Sequence, residues 1–334
     1  MAKHLSAEEN YLRTINGEIP EYVPTYKMME WMCHTSAFMP PMGSGAFTGF
    51  TSIFGVEYVT EFTANNGMIP KPGVFILDDI RKWRDVIKRP AIIDEIDWEK
   101  VAKKDLEKRG PGMLTIGSGN ITLGYFQALV GYMGFTNGLI ACIEEPEEVK
   151  ALMDFLLRMN LEVGKKYIQY YKPDVYCGAD DIAHQRAPFV SEDIFLELFE
   201  PAWRSEAALF KDAGLPAQHH NCGKFEAFVP YIVDMGYNSW DPAQSSNDLL
   251  AIKAKYGRKL TICSGIEGNG FCSWPETTEE EIRAEVRRVM DLYAPGGAYC
   301  FGGHILGAPG DAEIAKRNGW IQDEYEKNKY NYYN

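Results

Sequence analysis

The chain has 334 residues, 46% of them hydrophobic and 24% charged, so it can bury a core without disulfide staples and is neither disordered nor collagen-like. Asp and Glu number 47 against 34 Lys and Arg, and the net charge of -13 lacks the cationic footprint that nucleic acid demands. No apolar run approaches the ~20 residues of a membrane helix, and Met1 to Glu18 is polar without a signal-peptide core, so no membrane partner and a cytoplasmic location are expected.

Residues 1 to 110 are irregular and rich in Met, Pro, Gly and aromatics, with Val23–Met28 and Gly55–Val59 as candidate strands. Tyr26, Met28, Trp31 and Phe38 in this part suit an adaptable apolar pocket for a flat ring. A cover for the bottom of the fold or a homodimer contact is the alternative reading. From Pro111 onward short strands alternate with helices. Strands are predicted over Met113–Gly117, Asp174–Gly178, Ala217–Asn221, Ser239–Ala243, Leu260–Ser264 and Ala298–Gly302. Helices are predicted over Glu145–Tyr171, Ser191–Ala213, Lys224–Met235, Asn247–Tyr256 and Thr277–Tyr293, from caps, acidic first turns and closing glycines. This repeat of helix, Gly, short strand and polar loop is the pattern of βα units on a parallel sheet. It predicts one α/β domain over residues 1–334: a (β/α)8 TIM barrel with an irregular N-terminal extension.

No GxGxxG separates a strand from a helix, so a nucleotide cofactor is not supported. The seven cysteines are odd in number and dispersed, which reads as thiols rather than a disulfide frame. In a βα barrel the site lies at the C-terminal strand ends. There the chain places Asp180, Asp181 and His184, then His219, His220 and Cys222, then Asp241, Glu267, Cys300 and His304. Four of the six histidines fall at these ends, a concentration expected of a site. On a strand, residues two apart share a face, so His220 and Cys222 aim an imidazole and a thiolate into one volume. Zn2+ accepts such a set, with Cys300 or His304 as third ligand; a polar core with a small buried thiol is the other reading. His219 points to the opposite face and reads as structural. One of Asp180 and Asp181 can cap a turn while the other enters the site. The glycines of 265–270 and 302–310 are expected to rim an open cleft and let its loops shift.

His219-His-Asn-Cys-Gly223, Pro230 to Asp234, Gly236, Asp241, Asp248, Lys253, Tyr256-Gly257 and Cys263-Ser-Gly-Ile266 together resemble the uroporphyrinogen decarboxylase superfamily. Gly178-Ala-Asp-Asp181, Ser191 to Pro201 and Leu77 to Trp83 fit the same pattern, so the likeness runs from about Val56 to His304. It implies a single (β/α)8 barrel. The decarboxylase branch carries an N-terminal arginine signature, and the corresponding stretch here, around Glu21–Tyr26, is followed by no arginine until Arg81. The corrinoid-dependent methyltransferase branch holds zinc through a His-x-Cys pair and a distant cysteine, the layout of His220, Cys222 and Cys300. The resemblance thus implies a methyltransferase of an anaerobic O-demethylase system. It would take the methyl group of an aryl methyl ether, a methoxylated aromatic, to the Co(I) corrinoid of a partner protein. Tyr26, Met28, Trp31, Phe38 and Asp241 would bind the substrate, and Asp181, His184 or Glu267 would protonate the leaving oxygen. Transfer to a coenzyme M-type thiol, a decarboxylase-type lyase and a non-catalytic corrinoid-protein docking scaffold are the alternatives.

Overall fold

The protein was analysed as a computed structural model, which describes residues 5–26, 30–32, 35–39, 49–61, 67–118, 120–268, 270–305 and 310–333. Met28 lies outside the described residues, and of Trp31 only the backbone is described.

Ten strands follow in chain order: β1 (Glu30–Met32), β2 (Gly49–Thr51), β3 (Glu57–Glu61), β4 (Gly67–Pro70), β5 (Leu114–Gly117), β6 (Val175–Ala179), β7 (Ala217–His220), β8 (Ser239–Asp241), β9 (Thr261–Ser264) and β10 (Tyr299–Phe301). β1 and β5 to β10 form one sheet in the order β1-β5-β6-β7-β8-β9-β10, parallel throughout. The six strands expected after Pro111 are all present. Thr25 bridges Phe301 in parallel, so the segment just before β1 meets the last strand and the sheet curls back on itself. This is the TIM-barrel architecture, with seven named strands and the Thr25 bridge among the described residues. The strand expected over Val23–Met28 is observed as that bridge.

Gly55–Val59 departs from expectation. It becomes β3, antiparallel to β2 and β4 in a separate three-stranded sheet rather than a barrel strand. Alternating apolar and polar residues suit a sheet with one covered face, whereas a barrel strand is apolar on both. Here Val56 and Tyr58 turn inward, toward Gly131 of helix Tyr125–Met133.

The helices begin where capping chemistry starts them. Ser6 with Glu9 and Thr278 with Glu281 form capping boxes, and Pro146 opens helix Pro146–Tyr171. The helix expected over Ser191–Ala213 is broken by a π-turn at Phe195–Phe199. Pro201 just beyond has no N–H to give the preceding turn, which accounts for the local rewinding.

Strand parity divides the core. Tyr176, Trp240, Ile262, Tyr299 and Phe301 face the helices. Leu114, Ile116, Val175, Cys177, Cys263 and Cys300 face the barrel axis, where they meet Tyr11, Ile15 and Tyr26. Each fully buried large ring contributes about 2–3 kcal/mol. Helix Ala7–Ile15 lies at the N-terminal end of the strands, since Thr261 at the start of β9 donates its hydroxyl to the Thr14 carbonyl at 3.1 Å. It closes the bottom and leaves the opposite end as the mouth.

Candidate metal centre

The chain leaving β7 is fastened before it turns. The Asn221 amide donates to the Asp241 carbonyl at 2.9 Å, and Trp240 Nε1 donates to the Asn221 carbonyl at 3.0 Å. The Asn221 side chain donates to the Asp180 carbonyl, so one buried residue ties the ends of β6, β7 and β8 together. Gly223 then takes φ +84°, and a Cβ there would lie 2.7 Å from the Ala183 carbonyl oxygen. Only glycine fits that turn, and the turn holds Cys222 over the mouth.

Asp180 and Asp181 divide their work. The Asp180 carboxylate is buried and accepts the amides of Tyr125, Phe126 and Gln127, each at 3.0 Å, and Trp203 Nε1 at 3.1 Å. It is the cap of helix Tyr125–Met133, and burial pushes its pKa up to about 6. Asp181 turns the other way and accepts the Cys222 amide at 2.7 Å. Ligand atoms of Asp181, His220 and Cys222 all lie within 4.8 Å of one another, and all three residues are half-buried. Zinc bonds of ~2.0–2.3 Å need donor atoms within about 4.5 Å, so this N, S, O set fits a zinc ion with little adjustment and leaves a position open.

His220 is held from behind. Its Nδ1 lies 3.1 Å from Asp241 Oδ2, and Gln218 Nε2 donates to Asp241 Oδ1 at 2.6 Å. Burial pushes the His220 pKa down, but the Asp241 carboxylate, Cys222 and Asp181 outweigh it and hold the ring well above the ordinary value. An ionised Asp241 only accepts, so Nδ1 keeps its hydrogen, and Nε2 is the nitrogen that would give up its proton to a metal. His219 faces outward among Trp203, Phe225 and Tyr237, and burial brings its pKa down to about 3.

Several expected site residues stand elsewhere. Neither Cys300 nor His304 enters the group formed by Asp181, His220 and Cys222. Cys300 is fully buried in mid-strand, opposite Cys263 and packed with the apolar residues of the axis. His184 is exposed on the rim, its Nδ1 accepting the Arg186 amide at 3.3 Å and its ring against Phe189. Glu267 accepts the Ser245 amide at 2.7 Å and lines a 130 Å³ cavity beside helix Glu279–Tyr293. Both Asp241 oxygens are taken by Gln218 and His220, so that carboxylate orients the histidine instead of facing substrate. Tyr26 packs beneath Gly302, where a Cβ would meet its ring at 1.7 Å. The glycines of the two rim loops also serve close approach: a Cβ on Gly265 would lie 1.5 Å from the Gly302 carbonyl oxygen. Those two segments pack against each other rather than stand apart; residues 269 and 306–309 lie outside the described residues. Gln218 carried no site role in the sequence, and its signal was a polar residue inside a barrel strand; Asn221 was part of the His219–Gly223 motif without a role of its own.

Two small cavities adjoin the mouth. One, of 40 Å³, lies among Met39, Gly117, Ser118, Thr122, Cys177 and Ala179, and Ala179 pairs in register with His220. The second is lined by Phe38, Phe50, Phe54, Tyr58 and Tyr132 and shares Met39, Thr122 and Leu123 with the first. Phe38 therefore lies on an aromatic wall next to the mouth. None of the described residues lining these two cavities is a lysine or arginine.

The uroporphyrinogen decarboxylase (URO-D) family model matches residues 97–308, well over half of the chain. The chain belongs to this family. The match contains Asp181, His220, Cys222 and Asp241, and the β2–β4 sheet lies before it. Among curated proteins none matches. Among solved structures, a methyltransferase from Methanosarcina mazei shares the fold, with a TM-score of 0.67, 14% identity, 97% of this chain covered and 100% of that one. No single helix among the described residues is long and apolar enough to cross a membrane.

Proposed function

We propose that this URO-D family protein is a zinc-dependent methyltransferase that moves a methyl group from an aryl methyl ether to the Co(I) corrinoid of a partner protein. The observation that carries the reading is the Asp181, His220 and Cys222 group at the open end of the barrel. Zinc bound there supplies a Lewis acid for the ether oxygen as its bond to the methyl carbon weakens. Asp181, first expected as a proton donor, is then the third ligand. Asp241 keeps the His220 lone pair on Nε2, and Asn221 and Gly223 fix the reach of Cys222. The methyl carbon parts from oxygen, the bonding pair stays on the aryl oxide, and the new bond uses the electron pair of Co(I).

The wall of Phe38, Met39, Phe50, Tyr58 and Tyr132 favours a flat, uncharged methyl donor over a small polar thiol. A decarboxylase for a polycarboxylate needs cations facing substrate, and the described residues of the two cavities beside the donor group supply none.

The test combines the protein, a Co(I) corrinoid protein and methoxybenzenes, and follows corrinoid absorbance and phenol release. Methylated corrinoid and free phenol in equal amounts are expected. Turnover with methylated thiols alone, or CO2 release from a porphyrinogen without corrinoid, overturns the reading.

A further inference from the structure

A polar column crosses the barrel axis beneath the candidate metal centre. Tyr11, on the helix that closes the bottom, donates its hydroxyl to Gln218 Oε1 at 3.0 Å. Gln218 Nε2 donates to Asp241 Oδ1 at 2.6 Å, and Asp241 Oδ2 lies 3.1 Å from His220 Nδ1. Tyr11, Gln218 and Asp241 are 0%, 1% and 5% exposed, so the bonds are shielded from water. Tyr11 shares this layer with Leu114, Ile116, Val175, Cys177, Cys263 and Cys300. A glutamine beside such neighbours is costly unless both ends of its amide are satisfied, and here both are.

We propose that Gln218 and Tyr11 are positioning residues for the His220 ligand, acting through Asp241 from the far end of the barrel. The inference rests on the reading that zinc binds at His220 and Cys222. The donor order is forced along the column. Asp241 accepts from both sides, so Gln218 presents its NH2 upward and its oxygen downward to the Tyr11 hydroxyl. With the amide locked, the Asp241 carboxylate cannot rotate away, and the imidazole plane is held behind its ligand nitrogen. Partners of this kind, one bond removed from a metal, change affinity by about 10–100-fold when lost.

The experiment measures zinc affinity of the full chain by competition with a chromophoric chelator. Gln218→Met keeps the length of the side chain and removes both hydrogen bonds; Tyr11→Phe keeps the ring and removes one. Gln218→Met is expected to weaken zinc by about tenfold or more and to shift the ligand-field bands of the Co2+-substituted protein. Tyr11→Phe is expected to weaken zinc less. Melting of the metal-free forms confirms that both variants are folded. In an Asp241→Asn background, Gln218→Met is expected to cost nothing further. An equal loss in both backgrounds assigns the effect to packing and overturns the inference. So does unchanged affinity in Gln218→Met and Tyr11→Phe while the wild type binds zinc. A folded wild type that binds no zinc overturns the metal reading itself, and this inference with it.

Discussion

Asp180 and Asp181 are neighbours whose carboxylates serve opposite sides of the chain: one accepts three amides of helix Tyr125–Met133, the other accepts the amide of Cys222. The helix cap and the candidate ligand are thus one peptide bond apart, and a change in either fixes the aim of the other.

Asp180→Ala removes the cap and leaves the Trp203 indole N–H without its partner. The loss is expected to be about 2 kcal/mol or more in urea unfolding. A change below 0.5 kcal/mol would show that the helix needs no cap.

Cys222→Ser and Asp181→Asn should each weaken zinc by about 100-fold or more, since a serine oxygen and a neutral amide are poor zinc donors at neutral pH. Cys300→Ser and His304→Ala should keep the metal. Metal analysis of the four purified variants decides; loss of zinc in Cys300→Ser but not in Asp181→Asn would restore the cysteine as third ligand.

Gly223→Ala places a Cβ 2.7 Å from the Ala183 carbonyl oxygen at a positive φ. The loop must shift, and Cys222 with it. Weaker zinc binding is expected while the metal-free protein melts within a few degrees of wild type; unchanged affinity would mean the turn does not set the position of the thiol.

Glu206 is buried, with Tyr125 Oη donating to it at 2.7 Å, and burial pushes its pKa from 4.5 up to about 7. The folded state therefore holds this proton where the unfolded chain has released it. The stability it contributes is complete below pH 4.5 and lost as pH rises through about 7. Glu206→Gln removes this dependence, so the variant should gain on wild type between pH 5 and 8 by up to about 3 kcal/mol. Urea titrations across that range test it; parallel stability curves would refute it.

The six strands from β5 to β10 were legible because each short apolar run is bounded by helix-ending and turn residues. The His220 and Cys222 pair was legible because strand parity is local. That Asp181 stands beside them was not. A separation of 78 residues between Cys222 and Cys300 says nothing about height along the barrel axis, whereas the Asp181 carboxylate accepts the Cys222 backbone amide across neighbouring strand ends. Cys300 does face inward, between the outward Tyr299 and Phe301, but inward covers the packed layer as well as the mouth. β3 reads as a barrel strand until its partners are known, because a hairpin sheet and a barrel edge share short-range patterning.

The β2–β4 sheet supplies Phe50 and Tyr58 to the aromatic wall, yet no candidate zinc donor. The donors belong to the ends of β6 and β7, tied by Asn221 and backed by Gln218 and Asp241. Under the proposed function, the part of recognition that the sheet supplies and the reactivity at the strand ends occupy separate stretches of chain. The sheet can be exchanged or remodelled for another methyl donor while the chemistry stays in place, which makes it the natural unit for divergence within the family and for engineering a new substrate range.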